Sequence, residues 1–173
     1  MSPFSRAVND AMLMLAGKGA VFVGQSVRYD GAAIYHSLAG VPDAQRVEMP
    51  VIENFQMGYC TGLALAGKLP VCIYPRMDFM LLAMDQLVNH LDKLPLYGWR
   101  PKVIIRTTGG QKKPLDAGPQ HTQNYCEAFR LMLHDVEVYE ARTPAEVTES
   151  YRQAVEHSWS SLIVENPYAP SPR

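Results

Sequence analysis

Residues 47–75, VEMPVIENFQMGYCTGLALAGKLPVCIYP, run from one short apolar segment through a helix-length stretch into a second short apolar segment. The stretch at 54–66 is compatible with a helix, whereas VEM at 47–49 and PVCIYP at 70–75 have the length of strands. PVCIYP is apolar at nearly every position, which is typical of a strand covered on both faces. This alternation predicts parallel strands wrapped by helices.

The same alternation continues on both sides of this region. Further strand-length segments are AVFVG (20–24), KVIIRT (102–107), VEVYE (136–140) and SLIVE (161–165). Helix-compatible stretches are a segment that starts at Ser2 and Pro3 and stops at Gly17, and residues 31–39, 78–94, 122–132 and 144–157. We therefore expect one α/β domain over residues 1–166, with a mostly parallel six-stranded sheet and helices on both faces. Residues 167–173, which are rich in proline, are expected to form a flexible tail.

Composition narrows the class of protein. A chain of 173 residues with 47% hydrophobic residues can bury a core, which excludes a disordered chain. Charged residues make up only 19%, so we expect a partner to cover part of the surface. The net charge of −1 argues against nucleic-acid binding. Because no signal peptide or membrane-length apolar run occurs, a cytoplasmic location without membrane contact is expected.

The three cysteines, Cys60, Cys72 and Cys126, are widely spaced in apolar contexts. This pattern favours reduced, buried thiols over disulfides or a zinc site, and no histidine has metal-ligand spacing. No bound metal is therefore predicted. The GxSxG turn of hydrolases and the GxGxxG turn of dinucleotide-binding domains do not occur in the sequence.

Three places carry side chains that a plain α/β scaffold does not require. Glu53 precedes a glycine- and alanine-rich helix, where it is either a first-turn acid facing the helix dipole or a functional carboxylate. The predicted helix 78–94 carries a methionine-rich stripe, which is either core or an adaptable interface. His121 follows a Gly-Pro turn after the irregular segment 107–120, and is either solvated or catalytic.

Six segments, taken in order, resemble the pyrimidine-binding domain of thiamine diphosphate enzymes, the transketolase superfamily. They are FVGQSVRYDGAA (22–33), PVIENFQMGYCTGLALAGKLPV (50–71), DFMLLAMDQLVN (78–89), PKVIIRTTGG (101–110), AGPQHTQ (117–123) and SLIVEN (161–166). The likeness covers nearly the whole chain and is greatest to the beta subunit of the decarboxylase component of 2-oxo acid dehydrogenases. DFMLLAMDQLVN and AGPQHTQ are its most specific parts.

The resemblance implies a role for each candidate residue. It carries the family's essential glutamate onto Glu53, which would hydrogen-bond the pyrimidine ring of thiamine diphosphate and favour the imino form that serves as base. Ile52 would lie beside the pyrimidine, and Phe79 would stack on its face. His121 would stabilise an alkoxide or move a proton on the substrate side. Gln120 and the lysine pair at 112 and 113 are candidates for substrate contact, although paired loop lysines are usually only solvated.

Two departures from the family stand out. Gln25 and Ser26 occupy positions where the family often has an acidic pair. The family's beta subunits also continue for another domain after SLIVEN, and the GDG-type motif for diphosphate and magnesium does not occur here. We therefore expect magnesium and the diphosphate to be held by a separate diphosphate-binding subunit, in a heterotetramer.

Two reactions fit the resemblance. The pair of subunits would decarboxylate a 2-oxo acid and transfer the acyl group, with a lipoyl or acyl carrier domain as a candidate acceptor. Alternatively it would transfer a two-carbon ketol unit, as transketolase does. The AGPQHTQ segment favours the first reaction. The missing second domain favours the second, because it suits small split pairs that are similar to transketolase. The competing hypothesis is a non-catalytic regulatory or assembly subunit that retains the fold. The substrate cannot be read from the sequence.

Overall fold

The computed structural model describes residues 1–110 and 116–168. Its strands are β1 (Val21–Gly24), β2 (Arg46–Glu48), β3 (Pro70–Ile73), β4 (Ile104–Thr108), β5 (Val136–Ala141) and β6 (Ser160–Glu165). They form one sheet in the order β2-β1-β3-β4-β6-β5, and every neighbouring pair is parallel. All six predicted strands are confirmed, and the sheet is parallel throughout the described residues.

The α-helices are α1 (Pro3–Gly17), α2 (Ala33–Ser37), α3 (Glu53–Leu65), α4 (Met77–Met80), α5 (Cys126–Met132) and α6 (Pro144–Glu156). Helices α1 and α6 start where their sequences supply caps, whereas the N-cap residue of α3, Ile52, makes no side-chain capping hydrogen bond. Ser2 accepts a hydrogen bond from the Ser5 amide ahead of Pro3, and Thr143 with Glu146 forms a capping box ahead of Pro144.

Two hydrophobic clusters cover the two faces of the sheet, which confirms helices on both faces. On one face α1 and α6 pack against alternate strand residues such as Phe22, Val71 and Ile163. On the other face α3, α5 and the segment 77–91 pack against Val23, Cys72 and Leu162. Cys60, Cys72 and Cys126 are free and buried, as the sequence predicts.

The segment predicted as one helix at 78–94 is instead divided. The α4 helix is followed by a 3-10 turn at Leu81–Ala83 and a π-helix at Asp85–Leu91. The methionine stripe belongs to the chain's own core, because Met77, Met80, Leu87 and Leu91 are buried in one cluster. Of the two alternatives that the sequence leaves open, core or interface, the structure supports core for these four residues. Leu81 and Leu82 are the exposed apolar residues of this segment.

A buried ion pair joins the neighbouring strands β4 and β6. Arg106 on β4 donates through Nε and Nη2 to both carboxylate oxygens of Glu165 on β6, at 2.7 and 3.1 Å. Tyr151 of α6 donates to the same carboxylate at 2.8 Å, and Arg106 also donates to Ser37. The pair is fully enclosed by hydrogen-bonding partners, as a buried charge pair requires.

The strand order determines which of the segments that follow the strands lie next to each other. The chain leaves β1 toward β2 and then crosses to the other side of β1 to form β3, so the order reverses between β1 and β3. In parallel α/β sheets ligands bind beyond the carboxyl ends of the strands at such a reversal. Gln25, Glu53 and Tyr74 follow the strands around this point. Within residues 1–110 and 116–168, no helix has the length and apolar character to cross a bilayer.

Candidate active site

Glu53 is the first residue of α3 and lies at the carboxyl edge of the sheet. The residue is only 6% exposed. One carboxylate oxygen accepts a hydrogen bond from Nε2 of Gln25 at 3.3 Å, the only hydrogen bond to this carboxylate among the described residues. An ionised carboxylate can accept about four hydrogen bonds. Glu53 therefore has acceptor capacity for a ligand as well as the favourable field of the helix N-terminus.

Tyr74 holds the backbone at Glu53. Its hydroxyl donates to the carbonyl oxygen of Glu53 at 2.9 Å, and the tyrosine is almost fully buried. Burial is the main cause that raises the pKa of Tyr74, so the hydroxyl stays a donor across the physiological range. Nearby, Gln56 donates to the carbonyl of Ile73 at 2.9 Å, while its own Oε1 is buried without a partner. These contacts fix the start of α3 against the end of β3.

Phe79 and His121 form the second part of the site. Their ring centroids lie 5.2 Å apart at an interplanar angle of 47°. His121 ends a 3-10 turn at Pro119–His121, and its carbonyl oxygen accepts a hydrogen bond from Nη1 of Arg76 at 2.9 Å. The Nδ1 atom of His121 is buried and has no partner. The histidine is thus held through its backbone, which leaves its ring free to act on a ligand.

The segment after His121 is anchored to the ends of two strands, β4 and β5. The amide of Gly110 donates to the carbonyl of Gln123 at 2.9 Å, and Asn124 donates to Glu140 at 2.9 Å. A Cβ at position 110 would lie 2.1 Å from the backbone of Thr122, so only glycine permits this approach. The sequence around AGPQHTQ therefore sits in a defined place beside β4 and β5.

Glu140 is the anchor on the β5 side. It accepts hydrogen bonds from Asn124, from Asn166 at 2.8 Å and from Arg142 at 2.7 Å. Burial opposes the charged form, but the hydrogen bonds from Arg142, Asn166 and Asn124 hold the pKa of Glu140 below its usual value. The carboxylate is therefore ionised at neutral pH and ties the His121 segment to the sheet.

Of the predicted site residues that the structure describes, only two are shown in contact with each other. Phe79 and His121 are in contact, whereas no hydrogen bond or ring contact in the described part of the chain joins Glu53 to either. Ile52 precedes α3 and is 53% exposed beside Glu53. Gln120 is exposed on the same 3-10 turn as His121. Lys112 and Lys113 lie outside the described residues.

Sequence reasoning did not find Tyr74, Arg76 and Glu140. The first two stand in YPR directly after β3, and a polar residue just past a buried strand was the available signal. Glu140 alternates with apolar residues in β5 and carries no such signal. Among residues 1–110 and 116–168, no group of three or more histidine, cysteine or acidic side chains is arranged to hold a metal ion.

Comparisons with known proteins show what this chain is similar to. The chain is 28% identical over 139 residues to the pyruvate dehydrogenase E1 component subunit beta of Gracilaria tenuistipitata var. liui, covering 79% of this chain and 41% of that protein. It is 33% identical over 91 residues to the protein of the same name from Cyanidium caldarium, covering 51% of this chain and 27% of that one. The chain thus spans less than half the length of these curated relatives. No protein-family model matches.

The chain is also similar to a solved structure described as a split gene transketolase in the form of an inactive beta4 tetramer. The match covers 98% of this chain and 52% of that chain. The TM-score is 0.68 at 20% sequence identity, so this likeness speaks for the fold. The chain is an α/β domain with an open parallel sheet. Its fold is similar to that of a transketolase-type domain, which confirms at the level of the fold the resemblance read from the sequence.

Proposed function

We propose that this chain is the pyrimidine-binding subunit of a split thiamine diphosphate enzyme, in which Glu53 is the activating acid. The observation that carries the proposal is the buried carboxylate of Glu53, which has one hydrogen bond and spare acceptor capacity at the carboxyl edge of the sheet. The beta-subunit relatives support the same assignment.

The residues present fit an aminopyrimidine. A ring nitrogen needs one acidic partner, which Glu53 supplies, and the ring faces need apolar contacts, which Ile52 and Phe79 offer. Unpartnered polar atoms on Gln56 and His121 lie in the same region. When bound, thiamine diphosphate supplies a nucleophilic carbon for cleavage beside a ketone.

Each side chain then has a distinct task. Glu53 would hold the pyrimidine by a hydrogen bond to the ring nitrogen opposite the amino group, where the cofactor would supply that group as the base. Phe79 orients the ring and excludes water from it. His121 donates from its ring to the substrate oxygen as negative charge develops there. Gln120, Lys112 and Lys113 remain candidates for contact with the rest of the substrate.

We assign the diphosphate and magnesium to a diphosphate-binding partner subunit in a heterotetramer. An exposed apolar surface beside Glu53 supports contact with such a partner. It consists of Val51, Ile52, Phe55 and Leu82, each more than half exposed. An apolar surface next to a site is typical of an interface. This surface replaces the buried methionine stripe as the expected contact, and a cytoplasmic location remains part of the proposal.

The reaction is either decarboxylation of a 2-oxo acid with acyl transfer, for which a lipoyl or acyl carrier domain would be the acceptor, or transfer of a two-carbon ketol unit. The relatives named as pyruvate dehydrogenase subunits support the first. The likeness to a split transketolase extends over nearly the whole chain and supports the second. A non-catalytic regulatory subunit is the alternative that the following experiment separates from both.

The test is Glu53→Gln in a complex reconstituted with a GDG-containing subunit, thiamine diphosphate and magnesium. Glutamine has nearly the same size but cannot share the proton, so hydrogen-deuterium exchange at the thiazolium carbon should slow about a hundredfold or more. Glu137→Gln, at an exposed position of β5, is the matched control. Exchange as fast in the Glu53 variant as in the native complex would favour the regulatory reading.

A further inference from the structure

Arg76 occupies a fixed position between the two parts of the candidate site. It follows β3 by three residues, and the segment before it is held from both sides. Tyr74 donates to the carbonyl of Glu53 at 2.9 Å, and the carbonyl of Pro75 accepts from Thr108 at 2.7 Å. The backbone that presents Arg76 is therefore tied to α3 and to β4, on the two sides of β3.

The guanidinium of Arg76 is only partly used by the chain. Nη1 donates to the carbonyl oxygen of His121 at 2.9 Å, and the residue is half-buried. Asp78 lies two residues further on; its Oδ1 accepts from the amide of Gln123 at 3.4 Å, and its Oδ2 is buried without a hydrogen bond to Arg76 or to any other described group. In the described part of the chain, Arg76 forms no ion pair. Within residues 1–110 and 116–168, Arg76 thus brings to His121 a positive charge that is not ion-paired and four N–H donors that make no hydrogen bond.

Such a group is suited to an anion. Arginine presents a planar fork of donors that matches a carboxylate or phosphate, and charge-assisted pairs of this kind are among the stronger hydrogen bonds. Beside it, Nδ1 of His121 is buried without a partner, and Phe79 contacts the histidine ring. A substrate that meets His121 would therefore bring its neighbouring groups within reach of Arg76.

The energetics of the reaction decide which anion this can be. A carboxylate that leaves as carbon dioxide loses its charge on the way to the transition state. An arginine paired with that carboxylate would stabilise the ground state more than the transition state and would slow the reaction. An anion away from the breaking bond keeps its charge throughout, so binding it carries no such penalty.

We propose that Arg76 binds an anionic group of the substrate, a phosphate or a second carboxylate, that lies away from the bond that breaks. This rests on the proposed function, because it takes His121 as the substrate-side residue. It names a feature of the substrate class that the resemblance leaves open. Arg76 would thus be a positively charged group for the substrate within the described residues, and this role does not depend on Lys112 or Lys113.

The first experiment needs no activity. The full chain, labelled with ¹⁵N, is titrated with inorganic phosphate and separately with malonate while the Nε–Hε signal of Arg76 and the His121 signals are followed by NMR. We expect saturable shifts of both residues, and loss of the His121 shift in Arg76→Gln. Arg130→Gln, which removes an exposed arginine paired with Glu127, should retain it. No shift in the native chain, or the same His121 shift in Arg76→Gln, would overturn the proposal.

The two probes distinguish the sources of the anion. Tighter binding of phosphate indicates a phosphorylated ketose, whereas tighter binding of malonate indicates a 2-oxo acid with a second carboxylate. The second experiment uses the reconstituted complex and matched substrate pairs with and without the distal anion. In Arg76→Lys, which keeps one donor for the His121 carbonyl, the preference in kcat/KM for the anionic member should fall at least about tenfold.

Failure of this proposal can be told from failure of the proposed function. If the native complex shows no exchange at the thiazolium carbon, the proposed function fails, and the phosphate titration still decides the role of Arg76. If exchange is normal and Arg76→Lys retains the full preference for anionic substrates, Arg76 does not recognise the anion. Loss of assembly in Arg76→Gln with an unchanged preference in Arg76→Lys would make it an interface arginine and would also overturn the proposal.

Discussion

Asp92 and Glu53 are both buried carboxylates, yet their surroundings differ in one respect. Oδ1 of Asp92 accepts hydrogen bonds from the backbone amides of His134, Asp135 and Val136 at 2.9, 2.8 and 3.2 Å, and Oδ2 accepts from Lys93 at 2.7 Å. Glu53 accepts one, from Gln25 at 3.3 Å. A buried acid with all its partners supplied by the chain serves the fold, whereas one with few partners is available to a ligand.

Glu165 differs from Glu53 in the same way. The Glu165 carboxylate accepts hydrogen bonds from Arg106 and Tyr151. Like Asp92, it joins elements that are far apart in sequence. Removing a partner from such an acid should destabilise the protein. Changing Glu53 should alter function and leave the fold nearly intact. The predictions below follow the expected loss of folding stability from the largest to the smallest.

The largest effect is expected for Arg106→Met. The substitution leaves the carboxylate of Glu165 buried without its countercharge, which should lower the free energy of unfolding by about 3–5 kcal/mol. Urea unfolding followed by circular dichroism measures it. Arg130→Met removes an exposed ion pair with Glu127 and should have a small effect, since solvent screens that pair. Equal losses in the two variants would contradict the special role of the buried pair.

Asp92→Ala should be the next largest. It leaves three backbone amides without their acceptor near the start of β5, at a cost of about 2–3 kcal/mol in the free energy of unfolding. Asp85→Ala is the control, because the Asp85 carboxylate is exposed and, among the described residues, accepts a hydrogen bond only from the Asn89 side chain. The idea that partner number marks a structural acid is refuted if Asp85→Ala is the more damaging change.

The contribution of Asp92 should depend on pH in a defined direction. Burial alone would raise its pKa, but the hydrogen bonds from Lys93, Asp135 and His134 hold the pKa of Asp92 below its usual value. A carboxyl group whose pKa is depressed by folding stabilises the folded state above its unfolded pKa of about 3.9, and this stabilisation is lost as pH falls through the folded pKa.

The stability difference between the native chain and Asp92→Asn should therefore be constant from about pH 7 to pH 5 and shrink below about pH 4. Unfolding curves at several pH values measure it. Comparison with the variant cancels the titration of the other acidic groups. A difference that grew toward low pH would reverse the sign and contradict the assignment.

The smallest loss of stability is expected for Glu53→Gln. Because the carboxylate has a single long hydrogen bond, the free energy of unfolding should change by no more than about 1 kcal/mol, and relief of a buried charge can even raise it. The same urea measurement applies. A loss of about 2 kcal/mol or more would place Glu53 with Asp92 among the structural acids and weaken its assignment to the cofactor.

Much of the fold could be predicted because its signal is local. The strand segments are continuous apolar runs, and segments such as PVCIYP show this without any knowledge of their neighbours. The division of 78–94 into three helical forms could not be predicted, since an apolar stripe has nearly the same spacing in an α-helix and in short 3-10 and π turns. The methionine-rich stripe is likewise compatible with either core or interface until its packing against the sheet is known.

The site divides in the same way. Glu53, Phe79 and His121 could be named because a resemblance marks them within recognisable segments. Tyr74, Arg76 and Glu140 act through contacts across strand ends, between residues from 16 to 45 positions apart in sequence. Their roles depend on β3 lying beside β4 and on β5 lying beside β6, and strand order is not written in any single segment.

The position of β6 between β4 and β5 has a consequence for the order in which the protein assembles. During synthesis β4 and β5 both emerge before the strand that separates them, so each has an unpaired edge until β6 inserts. Glu165, the ion-pair partner of Arg106, comes 59 residues later in the sequence. Until β6 is inserted, β4 and β5 must not pair with each other. Such late, non-local insertion slows folding and exposes strand edges to other chains. Pulse-labelled hydrogen exchange should find protection of β1 and β3 before that of β4 and β6.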